Sequence, residues 1–221
     1  MELSIVLKMA TSTGHVKLEW CTPDMQHMIC KMARVSNEKN QENRESEPKL
    51  LRYLVHHKHF SPFEMASMCL EIKTVRSISA QIIRHRSFSF QERSLRYAEG
   101  LSYVLPLFRR QDLKNKQNSI DDISTEVQSE FASKADKLMK ECFQLYTDML
   151  SAGIAKECAR GILPLCTETT IYMTGTIRSW IHYIQVRGHR DTQFEHREIA
   201  LCAKEILLKE CPVLESLFTE E

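Results

Sequence analysis

The spacing of apolar residues along the 221-residue chain predicts a mixture of helices and strands. Between 124 and 152 apolar residues recur at helical spacing, which predicts one long helix ending before Gly153. Its apolar positions are Val127, Phe131, Leu138, Cys142, Leu145 and Met149. From Ala66 to Ile72 apolar residues alternate with others, which predicts a half-buried strand.

Similar patterns predict the remaining elements. Strands are expected at 3–10, 101–105 and 167–176. Thr22-Pro23-Asp24 predicts a helix start, with Thr22 as the cap, Pro23 in the first turn and a stripe of methionines following. Helices are also expected over 48–57, 76–84, 177–187 and 192–211, with a short one at 158–160. The polar stretches 37–47 and 109–122 are predicted to be loops.

These elements predict an α+β fold: a single mixed domain over 1–221, with a small, mostly antiparallel sheet and several helices, one of them long. The length favours one domain with a substantial core. Internal repeats and low-complexity tracts are absent from the sequence.

Composition narrows the function classes. With 43% hydrophobic and 27% charged residues the chain is typical of a globular protein, and a net charge of +1 argues against a general nucleic-acid binder. No apolar run reaches membrane-spanning length and the first residues lack a basic signal region, so a cytoplasmic protein is expected, without membrane or nucleic-acid partners. The eight cysteines form no Cys-x-x-Cys pair and are expected to be buried free thiols. His56, His57 and His59 have no matching group of acids, so no metal site is predicted.

The most informative segment is 81–97, which contains four arginines with a histidine, a glutamate and several serines. Guanidinium groups match pairs of phosphate oxygens, and Gln81, Glu92 and Ser94 add groups that recognise a base or sugar. The segment therefore predicts a nucleotide or nucleotide-cofactor site. A solvated basic loop is the alternative, but Phe88, Phe90 and other apolar residues among the charges indicate a packed segment.

The order Arg84-His85-Arg86, seven residues and then Ser94 resembles the signature of the flavin-dependent thymidylate synthases, and Ser89, Glu92 and Arg96-Tyr97 fit its fuller form. Other stretches agree with that family along nearly the whole chain: 33–36, 59–64, 159–164 and 178–187. The resemblance implies reductive methylation of dUMP to dTMP, with methylenetetrahydrofolate as carbon donor and NADPH as reductant through tightly bound FAD. It also implies a homotetramer with sites shared between subunits. No covalent enzyme nucleophile is expected, because the chain has Cys211-Pro212 in place of a Pro-Cys-His arrangement and Ser94 has no adjacent base to activate it.

The resemblance also assigns roles to individual residues. It implies flavin binding by Ser61, Arg84, His85, Arg86, Glu92, Arg178 and His182. It implies dUMP binding by Gln81, Arg84, Glu92, Ser94, Arg96, Arg160 and Arg187. Arg187 is the predicted catalytic residue, because a cation at the pyrimidine edge would stabilise negative charge on the ring.

Alternatives remain open for several of these residues. Arg187 would also suit the end of a helix, where a cation interacts favourably with the dipole, and His182 would suit an ordinary helix position. Thr176 stands where many family members have asparagine, which puts a flavin contact there in doubt. The chain has no G-x-G-x-x-G turn, so a Rossmann site is excluded.

Two other functions are compatible with residues of this sequence. A non-catalytic nucleotide- or single-stranded RNA-binding module would use the same arginines with Phe88, Phe90 and Tyr97 as stacking platforms. A metal-dependent phosphohydrolase would use His56, His59 and Glu64.

Overall fold

The computed structural model describes residues 6–8, 14–97 and 101–218. Its helices are α1 (Met25–Ala33), α2 (Glu47–His56), α3 (Arg76–Ile82), α4 (Thr125–Ser151), α5 (Lys156–Ala159), α6 (Ile177–Arg187) and α7 (Phe194–Glu210). Its strands are β1 (Val6–Lys8), β2 (His15–Cys21), β3 (Ser67–Val75), β4 (Ser89–Glu92), β5 (Arg110–Gln111), β6 (Ser119–Ile120) and β7 (Glu168–Thr176). Short 3-10 turns occupy Glu38–Asn40, Ser61–Glu64, Arg160–Ile162 and Pro212–Leu217.

Five strands form one antiparallel sheet in the order β1-β2-β3-β7-β4, and β5 and β6 form a separate two-stranded ribbon. The central pair runs in register from Ser67 opposite Thr176 to Val75 opposite Glu168. β4 pairs with β7 over Ser89–Glu92. This pairing attaches the second half of segment 81–97, called the arginine segment below, to the sheet edge. The predicted α+β fold, with a small antiparallel sheet and one long helix, is confirmed.

The core lies where the sheet meets α6 and α7. Met68, Leu70 and Ile72 alternate along β3 and are fully buried, as the sequence pattern predicts. On α6, Trp180 is also fully buried, and its indole N–H donates to the carbonyl of Met68 at 2.9 Å. Because the buried indole has a partner, this helix can lie directly against the sheet without losing a hydrogen bond.

A close approach between Gly175 and Phe88 fixes the arginine segment against this core. A Cβ built on Gly175 of β7 would lie 2.5 Å from Cδ1 of Phe88, so only glycine leaves room for that ring. The Phe88 ring also meets Trp180 edge-on, with centroids 4.8 Å apart. The backbone that follows Arg86 is thereby anchored between β7 and α6.

Several predicted elements differ from the structure. Residues 101–105 do not form a strand and make a single bridge, between Tyr103 and Thr167, because Val104 and its neighbours lie across the end of β7 instead of extending the sheet. The start of α1 is Met25, after Asp24 in a left-handed conformation, so Thr22 is not its cap; the Thr22 hydroxyl donates to Ser67 instead. The first strand is confirmed over Val6–Lys8, and the rest of the predicted range lies outside the described residues.

The predictions for the loop 109–122 and for the burial of the cysteines are also partly wrong. The predicted loop 109–122 contains the β5–β6 ribbon, and the four-residue strand β4 was not predicted because it is short and mostly polar. All eight cysteines are free, but only Cys30, Cys69 and Cys211 are buried; Cys158 is exposed. The described part of the chain contains no helix long and apolar enough to cross a membrane.

The long helix α4 is present, capped by Ser124, whose hydroxyl accepts from the amide of Val127. At 27 residues it is about 40 Å long. The apolar residues that follow its helical spacing are largely uncovered in this chain. Within this helix only Met139 and Tyr146 are buried, whereas a row of apolar residues is 42–54% exposed: Val127, Phe131, Leu138 and Leu145.

Candidate active site

Two predicted site residues meet at the end of α6. The Nε–H of Arg187, the last residue of that helix, donates to Nε2 of His85, just beyond α3, across 2.8 Å. An acceptor at Nε2 places the His85 proton on Nδ1. The pKa of His85 is lowered to about 4, mainly by burial and further by the charges of Arg187 and of nearby His182. The ring is therefore neutral at physiological pH.

A second histidine, His196, lies next to this pair and was not among the site residues predicted from the sequence. His196 on α7 is fully buried, with Nε2 3.1 Å from the Tyr183 hydroxyl and Nδ1 3.3 Å from Oε1 of Gln81. The pKa of His196 is lowered to about 3, mainly by burial and further by the charges of Arg187 and His85. The only sequence signal was its helical spacing with Ile199, which indicates the apolar face of α7 but not a partner across the fold.

Glu92 is held firmly at the sheet edge. Its Oε1 accepts from the hydroxyls of Ser79 at 2.5 Å and Thr169 at 3.0 Å, and Nη1 of Arg76 lies 3.0 Å away. Within the described residues no donor bonds to Oε2. The carboxylate is therefore oriented by its own chain and keeps one oxygen for a ligand. Arg76 and Ser79 were not among the predicted site residues.

The two arginines of the Arg84-His85-Arg86 motif are both exposed. Within the part of the chain that the structure describes, neither guanidinium forms an ion pair or hydrogen bond. Two cations two residues apart repel each other, so the segment favours an anion between or beside them.

The end of the segment turns towards α5. The hydroxyl of Ser94 accepts from the backbone amide of Arg96 at 3.3 Å, and Nη2 of Arg96 pairs with Glu157 at 2.7 Å. Arg160 follows α5 directly, three residues after Glu157, and is partly buried. The structure thus brings Arg96 and Arg160 into the same neighbourhood.

A cavity of about 520 Å³ lies at the other end of α6, where Arg178 and His182 line it together with Phe60, Glu64, Ser87 and Thr176. Arg178 pairs with Glu64, and His182 is exposed. The hydroxyl of Thr176 accepts from the amide of Ser179 and so caps the helix. Ser61 lies beside Phe60 in the chain, and no hydrogen bond of its side chain is found among the described residues.

Several of the predicted residues are spread along α6. Arg178 lies at its start and His182 midway, whereas Gln81, His85 and Arg187 lie at its end. Arg178 and Arg187 are nine positions apart, about 14 Å along the axis. In the described residues no group of three His, Cys, Asp or Glu side chains is arranged to hold a metal.

Comparison with known proteins places this arrangement in a family. The sequence profile of a family described as "Thymidylate synthase complementing protein" matches residues 17–213. A probable flavin-dependent thymidylate synthase of Paramecium bursaria Chlorella virus 1 is 51% identical over 188 residues, 85% of this chain and 87% of the relative. A flavin-dependent thymidylate synthase of Synechocystis is 50% identical over 187 residues, 85% of this chain and 86% of the relative.

A solved structure agrees with the sequence matches. The crystal structure of the UMP/dUMP methylase PolB from Streptomyces cacaoi, bound with 5-Br dUMP, superposes with a TM-score of 0.83 at 28% identity, covering 96% of each chain. The resemblance inferred from the arginine motif is confirmed, because the matches extend far beyond that motif. The chain belongs to the thymidylate synthase complementing protein family and is an enzyme of the flavin-dependent thymidylate synthase type.

Proposed function

We propose that this protein converts dUMP to dTMP by reductive methylation, with methylenetetrahydrofolate as carbon donor and NADPH as reductant through FAD. The observation that carries the proposal is the contact between Arg187 and His85, with Gln81 bonded to the adjacent His196, in a chain that belongs to this family. The named relatives support the reaction, and one structural neighbour acts on UMP and dUMP.

The residues fit a flavin dinucleotide. Arg84 and Arg86 are exposed without anionic partners in the described residues, so they are available to a pyrophosphate. Arg178, which pairs with Glu64, lines a cavity of about 520 Å³ and adds a further cation there. Ser61, His85, Glu92 and His182 are assigned to the remaining flavin contacts. When bound, FAD supplies the hydride chemistry, while the protein supplies position and charge.

The dUMP site is proposed to include Gln81, Arg84, Glu92, Ser94, Arg96, Arg160 and Arg187. Glu92 offers its uncommitted Oε2 to a donor on the nucleotide. Arg96 and Arg160 supply cations close to Ser94 for the phosphate. These groups surround a nucleotide with both acceptors and donors, as base-and-phosphate recognition requires.

Arg187 is assigned to the pyrimidine. Its Nε is held by His85, while its two terminal nitrogens bond to no residue that the structure describes. A guanidinium held in this way can donate to negative charge that develops on the ring without first reorganising. The helix-end alternative is consistent with the position but does not explain the bond to His85.

No covalent enzyme nucleophile is proposed. The Ser94 hydroxyl accepts from the Arg96 amide, and no histidine or carboxylate that the structure describes is bonded to it as a base. Burial raises the pKa of Cys30 and Cys211 to about 12 and of Cys202 to about 11, so these thiols stay protonated and unreactive.

The active form is proposed to be a homotetramer with sites shared between subunits. Arg178 and Arg187, at opposite ends of α6, are about 14 Å apart in one chain, and α4 exposes a row of apolar side chains. A second copy would cover that row and add its own residues to each site.

The test is to reconstitute the purified protein with FAD and supply NADPH, methylenetetrahydrofolate and dUMP. The expected result is a flavin absorption spectrum and formation of dTMP that requires all three cosubstrates. Flavin binding without any dTMP would contradict the proposed reaction. A preparation that binds single-stranded RNA but no flavin would instead support the non-catalytic module.

A further inference from the structure

A continuous row of hydrogen bonds runs from the core to the first turn of α7. His196 Nε2 lies 3.1 Å from the Tyr183 hydroxyl and its Nδ1 lies 3.3 Å from Gln81 Oε1. The amide of Gln81 donates to Gln193 Oε1 at 2.7 Å, and the amide of Gln193 donates to Glu195 Oε2 at 3.1 Å. We call these five residues the relay.

The direction of the relay is determined at its Glu195 end. Nη2 of Arg109 donates to both carboxylate oxygens, at 2.8 and 2.9 Å, and the pair is largely buried. An ionised carboxylate can only accept, so Gln193 must turn its NH₂ towards Glu195. Its oxygen then faces Gln81, which must turn its own NH₂ towards Gln193.

The same logic extends to the buried histidine. With its oxygen towards His196, Gln81 requires a proton on Nδ1, and Nε2 then accepts from the hydroxyl of Tyr183. His196 is fully buried and neutral, so only one of its ring nitrogens carries a proton, and these partners place it on Nδ1. Reversing any one amide or the histidine tautomer alone would set two acceptors or two donors against each other at the neighbouring contact, which is costly.

We propose that Glu195 acts through Gln193 as a positioning residue that sets which side of the Gln81 amide faces dUMP. The inference rests on the proposed role of Gln81 in nucleotide binding. In the orientation set by the relay, one N–H of Gln81 is committed to Gln193 and the other remains for the ligand. In the opposite orientation the carbonyl oxygen of Gln81, and not an N–H, would face the ligand.

The first test uses Gln193→Met in the FAD-bound protein. Gln193 is exposed, and its loss leaves the Arg109–Glu195 pair intact, so folding should be preserved. The dissociation constant for dUMP is expected to rise about tenfold, the value of one well-directed hydrogen bond. Gln26→Met is the matched control, because Gln26 also donates to a carboxylate, Glu47, but lies outside the relay.

The second readout is the tautomer of His196, followed by nitrogen-15 spectra of histidine-labelled protein. The wild type is expected to carry the proton on Nδ1, and Gln193→Met to give a mixture. Glu195→Gln keeps the shape but permits either direction, so it should also give a mixture, while Glu195→Asp should retain the Nδ1 proton. A merely structural role for Glu195 would not move this signal.

Three outcomes would overturn the proposal. One is a wild-type His196 with its proton on Nε2. Another is unchanged dUMP affinity in both Gln193→Met and Glu195→Gln while Gln81→Ala weakens binding. The third is unchanged affinity in Gln81→Ala itself, which would locate the failure in the proposed substrate role of Gln81, with the tautomer still showing whether the relay has a direction.

Discussion

Arg187 donates from Nε to Nε2 of His85 across 2.8 Å, so the end of α6 is held by a residue from the arginine motif. The bond joins two sites that the sequence places 102 residues apart. His85 can accept because burial and the charge of Arg187 keep its pKa low and the ring neutral. The histidine of the motif thus orients a cation as well as lying beside the flavin contacts proposed above.

The arginines of the motif give the clearest prediction for cofactor binding. Arg84→Ala or Arg86→Ala is expected to leave a folded protein with little bound FAD, because removing a charged donor from a phosphate costs roughly 2 to 5 kcal/mol. The flavin-to-protein ratio after gel filtration measures this. Arg52→Ala, an exposed arginine on α2, is the control, and normal flavin content in both motif variants would refute the assignment.

Gly175 should matter for the same site through packing. Gly175→Ala is expected to displace Phe88, whose ring lies 2.5 Å from the added Cβ, and so loosen the backbone after Arg86. Stability should fall by about 1 to 3 kcal/mol and FAD affinity should weaken with it. Gly161→Ala adds a Cβ that meets nothing within 4 Å and serves as the control in denaturant titrations. Equal stability of the two variants would count against the packing role.

Ser94→Ala separates binding from covalent catalysis. Because Ser94 is assigned to the nucleotide, the variant should show a KM for dUMP raised about tenfold, with measurable dTMP formation at saturating dUMP. Steady-state kinetics over a wide dUMP range measures both quantities. Complete loss of product at saturating dUMP would indicate a nucleophile instead.

Acid should destabilise the protein through two histidines with lowered pKa values, the partly buried His85 and the fully buried His196. Both have folded pKa values below the usual 6.5, about 4 for His85 and about 3 for His196, so the unfolded chain binds more protons in this range. Their contribution is present above pH 6.5 and is lost as the pH falls towards 3, at up to about 1.4 kcal/mol per pH unit for each histidine. Urea titrations from pH 7 to 4.5 should show a smaller loss for His85→Asn than for the wild type. An identical slope would contradict the neutral state of His85 in the folded protein.

Much of the fold could be predicted because local periodicity is strong in β3, β7, α4 and α6. The strand predicted at 101–105 failed because pairing depends on a partner elsewhere in the chain, and a short apolar run does not identify one. The apolar spacing of α4 predicted the helix correctly but could not show what covers it.

The site was predictable only where a motif marked it. Gln81, His85 and Arg187 were identified from the motif and the family resemblance, and the structure brings them together. Tyr183 and His196 look like core residues in the sequence, because a buried polar group is recognised by its partners, which come from other elements. The same holds for Ser79 and Thr169, whose hydroxyls orient Glu92.

The central claim is that Arg187 acts on the pyrimidine and not on the flavin, and one paired measurement tests it most directly. Arg187→Ala and the wild type, both loaded with FAD, are compared for dTMP formation and for flavin reduction by NADPH. We predict that dTMP formation falls about 100-fold or more, as for loss of a donor that stabilises developing charge, while flavin reduction changes by less than about threefold. Arg187→Lys, which keeps the charge, should lose less activity. Normal dTMP formation by Arg187→Ala, or an equal loss in both reactions, would contradict the claim.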